Sequence, residues 1–404
     1  VAVDLSYSAE VAHLVERTRD FVQDVVLPFE DKYGGDIMAA GGDAVRIELQ
    51  AQARSLGLLA PHAPVEYNGL GLNMSDRAPV FEAGGYSLFG PTALNIAAPD
   101  EGNVHLLAHV ASPEQREQYL APLACGEARS AFAMTEPAPG AGSDPAALTT
   151  RAEKVAGGWK INGHKWFITG ADGADFFIIM ARTSGAPGER GGATMFLTPA
   201  SSPGLRVGRH IGTLDKSMIG GHCEVFFDDL FVPDEAILGA VDAGFAYAQV
   251  RLGPARMTHV MRWLGAARRA HDIAVAHVAT RRGFGSTLGD LGMVQQMIAD
   301  NEMDIRATRA LLVSACWELD CGESGADSTS VAKTFGSEAI FRIVDRSIQM
   351  CGGLGVSDDL PLARLSREVR AFRVYDGPSE VHRWALAKRV VGAAKRAARE
   401  GAQS

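Results

Sequence analysis

An α+β chain in three consecutive regions is what this sequence predicts: an N-terminal α-helical region, a middle antiparallel β region and a C-terminal four-helix bundle. Two observations carry that reading. The apolar spacing changes from a helical period to a period of two near Ser130, and back again near Asp242. At 404 residues the chain is also too long for one ordinary core. The expected boundaries are 1–129, 130–240 and 241–404.

In the first region Val11, Leu14, Val15 and Thr18 share one face of a helix, with Ser8 as its cap and Glu10 in its opening turn. Leu49, Ala53, Leu56 and Ala60 share a face of another, and the Gly, Pro and Asn residues of Pro61–Asn73 interrupt the pattern. In the second region Trp159–Ile161, Lys165–Ile168, Phe176–Ala181, Ala193–Leu197 and Val225–Val232 read as strands. Turn signals separate them at Gly157-Gly158, Asn162-Gly163, Ala171–Ala174 and Gly185–Gly192. Asn-Gly between two such runs predicts a hairpin. No helix-length pattern intervenes, so the region reads as an antiparallel barrel or sandwich. In the third, helices are expected near 242–281, 292–322, 327–351 and 379–399, with short connections that favour an antiparallel bundle.

Hydrophobic residues make up 47% and charged residues 22%, the balance of a soluble globular protein. A net charge of -9 argues against nucleic acid as the main partner, because phosphate binding needs a basic face. The five cysteines form neither a disulfide framework nor a metal-ligand pattern with the histidines, which favours a reducing cytoplasm. No apolar run approaches the roughly 20 residues of a membrane helix. The opening residues VAVDLSYSAE lack the regions of a signal peptide.

Four stretches carry chemistry. Ala131–Asp144 is an extended run ending in a small-residue turn whose glycines let backbone N–H groups approach a ligand. Its Gly140-Ala141-Gly142 starts a dinucleotide fingerprint, but Pro145 stands where the third glycine belongs and no βαβ unit follows, so that reading fails. Asn162–Gly170 places Trp166 and Phe167 next to each other on a strand, hence on opposite faces. Gln349–Gly355 ends a helical pattern in glycines. Arg373–His382 holds Asp376-Gly377-Pro378, a turn in its own right, ahead of Ser379 as a helix cap.

Together these stretches resemble the acyl-CoA dehydrogenase family over nearly the whole chain. Thr135-Glu136-Pro137 with Gly140–Asp144 resembles the family's first signature, lengthened by Ala138 and Pro139. Val225–Pro233 with Leu238-Gly239, the Arg281–Gly285 turn, Gln349–Gly355 and Tyr375–Glu380 resemble later ones, in order. The resemblance implies FAD between the β region and the bundle, shared between subunits of a homo-oligomer, a dimer or tetramer. By position, Phe132, Met134 and Thr135 would border the flavin ring. Phe167 and Thr169 would take its other side, with Thr169 near the reactive nitrogen. Arg281, Phe284, Gln349, Gly352 and Gly353 would reach a partner's FAD, and Glu380 the adenosine half. Gly142 and Ser143 would meet the pantetheine arm of an acyl-CoA substrate. Electron-transfer flavoprotein is the implied acceptor.

The reaction so implied removes an α-proton from a thioester while hydride leaves the β-carbon. It needs a carboxylate base in a water-poor site that raises its pKa towards neutrality. The family commonly supplies glutamate; here Asp376 occupies that position, and Pro378 replaces a threonine. This Asp-Gly-Pro form resembles the branch of mammalian family members ten and eleven, which act on branched, long or hydroxylated acyl-CoAs. Some relatives carry the base directly before an arginine on the first bundle helix, but Ala255 precedes Arg256 here. Arg256 matches an arginine near the family's active site. Two rival readings share the fold: a nitroalkane-oxidase-like enzyme, which also uses an aspartate, and a DNA-associated flavoprotein, which the acidic balance disfavours. The basic residues Lys388, Arg389, Lys395, Arg396 and Arg399 read either as a phosphate contact or as the solvated face of the last helix.

Overall fold

The computed structural model describes residues 6–401. The signal-peptide reading falls partly on Val1–Leu5, outside the described residues. The chain opens with helices α1 (Ala9–Phe21), α2 (Leu27–Lys32), α3 (Ile37–Ala40), α4 (Asp43–Ser55), α5 (Met74–Gly84), α6 (Gly90–Ala93), α7 (Asp100–Val110), α8 (Pro113–Gln115) and α9 (Ala121–Ala124). The Ser8 side chain caps α1 by accepting from the Val11 N–H at 3.2 Å, and Val11, Val15, Thr18 and Phe21 form its buried face. Leu56 departs from expectation: α4 ends at Ser55, and Leu56 turns out to solvent.

The β region comprises β1 (Ser130–Ala133), β2 (Arg151–Val155), β3 (Gly158–Thr169), β4 (Phe176–Arg182), β5 (Ala193–Pro199), β6 (Leu205–His210), β7 (His222–Pro233) and β8 (Ile237–Leu238). Their order in the sheet is β6-β7-β3-β2-β4-β5-β8, with β1 added to β4. Pairing is antiparallel except where β1 runs parallel to β4 and where Arg151 meets Arg182. Strand β4 is buried on both faces. Phe176, Ile178 and Met180 join the core shared with the helices, while Phe177, Ile179 and Ala181 join the core of the β region, as a two-residue period requires.

The Asn162-Gly163 hairpin does not exist. Strand β3 runs through both residues, with a register shift against β7 between Ile161 and Gly163. Asn162 bonds across to Asp229 through both its amide atoms, at 3.0 and 2.8 Å. A Cβ on Gly163 would lie 2.4 Å from Thr150 Oγ1, so the glycine serves a close approach and not a reversal. The reversal comes earlier, at Gly157 (φ +77°), and joins β3 to β2. Strand β2 is invisible to hydropathy, since Ala152 alone among its residues is buried.

The C-terminal region holds α10 (Gly244–Thr280), the small hairpin β9 (Arg282–Gly283) and β10 (Ser286–Thr287), α11 (Gly292–Asp320), α12 (Ala326–Cys351), α13 (Leu362–Phe372) and α14 (Ser379–Gly401). The four expected long helices are present, and α13 is an addition with Leu362, Leu365, Val369 and Phe372 on its buried face. Helices α5 and α10 cross at backbone contact. A Cβ on Gly85 would sit 2.1 Å from the Arg262 carbonyl oxygen, and one on Gly265 would sit 2.1 Å from that of Glu82. The two glycines thereby fix the height at which the middle of α10 meets the N-terminal helices.

Candidate active site

Asp376 lies in the turn between α13 and α14 at φ +53°, a conformation that aspartate tolerates better than most residues. Three helices hold its backbone. Arg256 Nε of α10 and His382 Nε2 of α14 each donate to the Asp376 carbonyl at 3.1 Å, and Lys333 Nζ of α12 donates to the Gly377 carbonyl at 2.6 Å. The side chain is largely enclosed, 18% exposed, with His259 Nε2 3.1 Å from Oδ2. That contact is off-axis, and Oδ2 accepts no well-formed hydrogen bond among the described residues. Arg262 donates to His259 Nδ1 at 2.9 Å, so the imidazole proton sits on Nε2 and faces the carboxylate. Burial pushes the Asp376 carboxyl up, but the His259 N–H and the charges of Arg251 and Arg256 outweigh it, holding the carboxyl well below the usual range, the reverse of the rise towards neutrality expected for the base. Burial and Arg262 push the His259 pKa down against the pull of Asp376. At neutral pH the pair is a carboxylate beside a neutral imidazole.

A second polar knot fixes the β side. Lys165 and Glu136 pair at 2.9 Å with both side chains fully buried. Lys165 also donates to the Met134 carbonyl at 2.9 Å. Glu136 gathers Thr149 N (2.7 Å), Thr149 Oγ1 (2.6 Å) and Thr150 N (2.8 Å), so the loop from Thr135 to Thr150 is wound around one carboxylate. Burial pushes Glu136 up, but Lys165 and the threonines bring it down to about 2; burial brings Lys165 down to about 8 against the pull of Glu136. Trp166 N donates to the Thr135 carbonyl at 3.0 Å, tying β3 to this loop. The alternation expected for Trp166 and Phe167 fails. Phe167 takes φ +51° at a register shift, leaving its ring 44% exposed and edge-on to Trp166 at 4.9 Å. Phe132 lies with its ring 4.3 Å from the guanidinium carbon of Arg251, whose charge also acts on Asp376.

Thr169 ends β3. Its Oγ1 is 2.9 Å from His222 Nδ1, and His222 Nε2 is 2.8 Å from Asp215 Oδ2. The loop bearing Asp215 is held from the bundle, where Glu368 of α13 accepts from Lys216 N at 2.6 Å and Ser217 Oγ at 2.7 Å. Burial pushes Glu368 up to about 7, helped by the Asp215 charge and opposed by those donors. A carboxyl raised in the folded state stabilises fully below its unfolded pKa, near 4.5, and loses that contribution as pH rises through about 7. Glu368→Gln removes this loss, on the order of 3 kcal/mol at most. Its melting temperature relative to the parent is expected to rise between pH 5 and pH 8; a constant difference would refute the assignment.

The other candidates stand apart. Arg281 and Phe284 lie just past the end of α10, with Phe284 94% exposed. Gln349, Gly352 and Gly353 lie at the exposed end of α12. At about 1.5 Å per residue, Arg281 is about 37 Å along the helix from Arg256, and Gln349 about 24 Å from Lys333. Glu380, Gly142 and Ser143 are also exposed. Lys388, Lys395, Arg396 and Arg399 are exposed too, and Arg389 pairs with Asp327, which fits the solvated-face reading. The structure therefore joins Asp376 to Arg256 and, through Arg251, to Phe132; it ties Met134 and Thr135 to β3 through Lys165 and Trp166, and turns the rest of the candidates above outward. Sequence reasoning missed Arg251, His259 and Arg262. Their spacing gives no signal, because α10 also bears Arg256, Thr258, Arg268, Arg269 and His271 around its length.

Three family models match the chain in the order of its regions: the acyl-CoA dehydrogenase N-terminal domain over residues 8–127, the middle domain over 131–230 and the C-terminal domain over 242–391. The class so defined is an oxidoreductase. The chain belongs to the acyl-CoA dehydrogenase family. The probable acyl-CoA dehydrogenase FadE2 of Mycobacterium tuberculosis is 37% identical over 398 residues, 96% of each chain. Acyl-CoA dehydrogenase family member 10 of Mus musculus is 33% identical over 394 residues, in agreement with the branch read from Asp-Gly-Pro; the match takes in 94% of this chain but 37% of that longer protein. A solved structure described as the FAD complex of PigA shares 26% identity at a TM-score of 0.87, covering 96% of this chain and 99% of that one. Among the described residues no helix is long and apolar enough to cross a membrane.

Proposed function

We propose that the chain desaturates an acyl-CoA thioester to the trans-2-enoyl-CoA with FAD, Asp376 removing the α-proton. The observation that carries this is a largely enclosed carboxylate, held ionised, on backbone gripped by three helices. The residues present fit FAD. A half-exposed Phe167 ring beside the Thr169 hydroxyl suits a flat heteroaromatic ring, and open space around a Cβ at Gly352 and Gly353 leaves their backbone approachable. When bound, FAD supplies the acceptor for hydride from the β-carbon.

Asp376 takes the α-proton on its carboxylate, and Arg256 orients it through the backbone carbonyl. Phe132, Met134 and Thr135 border the ring on the β1 side, and Phe167 and Thr169 on the other. Arg281, Phe284, Gln349, Gly352 and Gly353, too far along their helices to serve the same Asp376, serve the FAD of a neighbouring subunit in a homo-oligomer. Glu380 runs beside the adenosine half; exposed Gly142 and Ser143 meet the pantetheine arm. Thr258, His259, Arg262 and Glu101 make the surroundings of the base polar, and Glu101 Oε1 has no hydrogen-bond partner among the described residues. This favours an acyl group with a polar substituent over a bare alkyl chain. Electron-transfer flavoprotein is the acceptor that reoxidises the enzyme.

The purified protein is expected to be yellow with bound FAD, and an anaerobic panel of acyl-CoAs should bleach it, hydroxylated chains fastest. A colourless protein, or oxygen consumption with nitroalkanes under air and bleaching by no thioester, would sink the reading.

A further inference from the structure

We propose that His222 and Asp215 are positioning residues that set, by one proton on His222, whether the Thr169 hydroxyl donates or accepts a hydrogen bond towards the flavin. The inference rests on the FAD reading above and concerns residues outside the Asp376 group.

Thr169 and His222 are directly opposed in the antiparallel β3–β7 pair, which puts both side chains on one face. Asp215 is buried and kept ionised: burial raises its pKa, but the His222 contact more than offsets that. A carboxylate can only accept, so His222 Nε2 must carry a hydrogen at the 2.8 Å contact. The state of Nδ1 then decides the rest. In the neutral imidazole Nδ1 has a lone pair, the Thr169 hydroxyl donates to it at 2.9 Å, and only oxygen lone pairs remain for a ligand. In the imidazolium Nδ1–H donates to Oγ1, and the hydroxyl hydrogen is free to point outward.

A flavin's reactive ring nitrogen accepts when oxidised and carries hydrogen when reduced. The imidazolium therefore matches the oxidised ring and the neutral imidazole the reduced one. The switch moves one solvent proton on or off His222 and no electrons. Other titratable groups nearby are Glu368, which faces Asp215 from α13, and the His210–Asp172 pair at 3.1 Å beside β6.

The test is a pH titration of the oxidised holoenzyme's visible spectrum. One single-proton transition is expected in the parent. It should vanish in His222→Gln and in the near-isosteric Thr169→Val, survive in Thr169→Ser, and survive in Glu368→Gln. A transition that persists without His222, or that Glu368→Gln removes, overturns the proposal. So does bound FAD with no transition, which leaves the FAD reading standing. Failure to bind FAD overturns both.

Discussion

Asp376→Asn is expected to fold, hold FAD and lose flavin reduction by acyl-CoA by roughly 10²–10⁴-fold, the span of a lost general base. Asparagine tolerates the φ of +53° at this position, and the bonds from Arg256 and His382 run to the main-chain carbonyl, which the substitution leaves in place. Anaerobic stopped-flow absorbance reads the effect directly. Reduction at the parental rate would move the base elsewhere. Asp376→Glu restores a carboxylate on a longer arm that suits positive φ less well, so partial activity with a different acyl preference is expected. An identical preference would show that the arm length is not matched to substrate.

Lys165→Met is expected to cost about 3–5 kcal/mol in denaturant unfolding, because it leaves the Glu136 carboxylate buried without its cation. The loop from Thr135 to Thr150 hangs on that carboxylate, so the variant should also release FAD on dilution. Adding Glu136→Gln removes the stranded charge and should return part of the stability. If the single variant unfolds like the parent, the pair is energetically silent; if the double is no better than the single, the unpaired charge is not the cause.

Much of this molecule was legible in its sequence because period and punctuation agreed. The four long bundle helices and the Asp376 turn are cases where local pattern and tertiary role point the same way. Asn162-Gly163 shows the opposite. A strong local turn signal was overridden by Thr150 packed beneath the glycine and Asp229 bonded to the asparagine, neither near in sequence. Phe167 broke alternation for the same kind of reason, since a bulge is set by the partner strand. His259, Lys333, His222 and Lys165 went unread because each is defined by what it touches across 29 to 117 residues of chain, and no spacing encodes that. His382 is the exception in distance but not in kind: six residues from Asp376, it is still revealed by geometry alone.

The grip of α10, α12 and α14 on two adjacent carbonyls has a mechanical consequence. The position of the Asp376 carboxylate therefore depends on the relative alignment of three rods. A misplacement of about 1 Å at the reacting atoms costs on the order of 10²-fold in rate. Core substitutions along these helices, many turns from any ligand, are then throttle settings, altering turnover through helix alignment while the pocket keeps its composition.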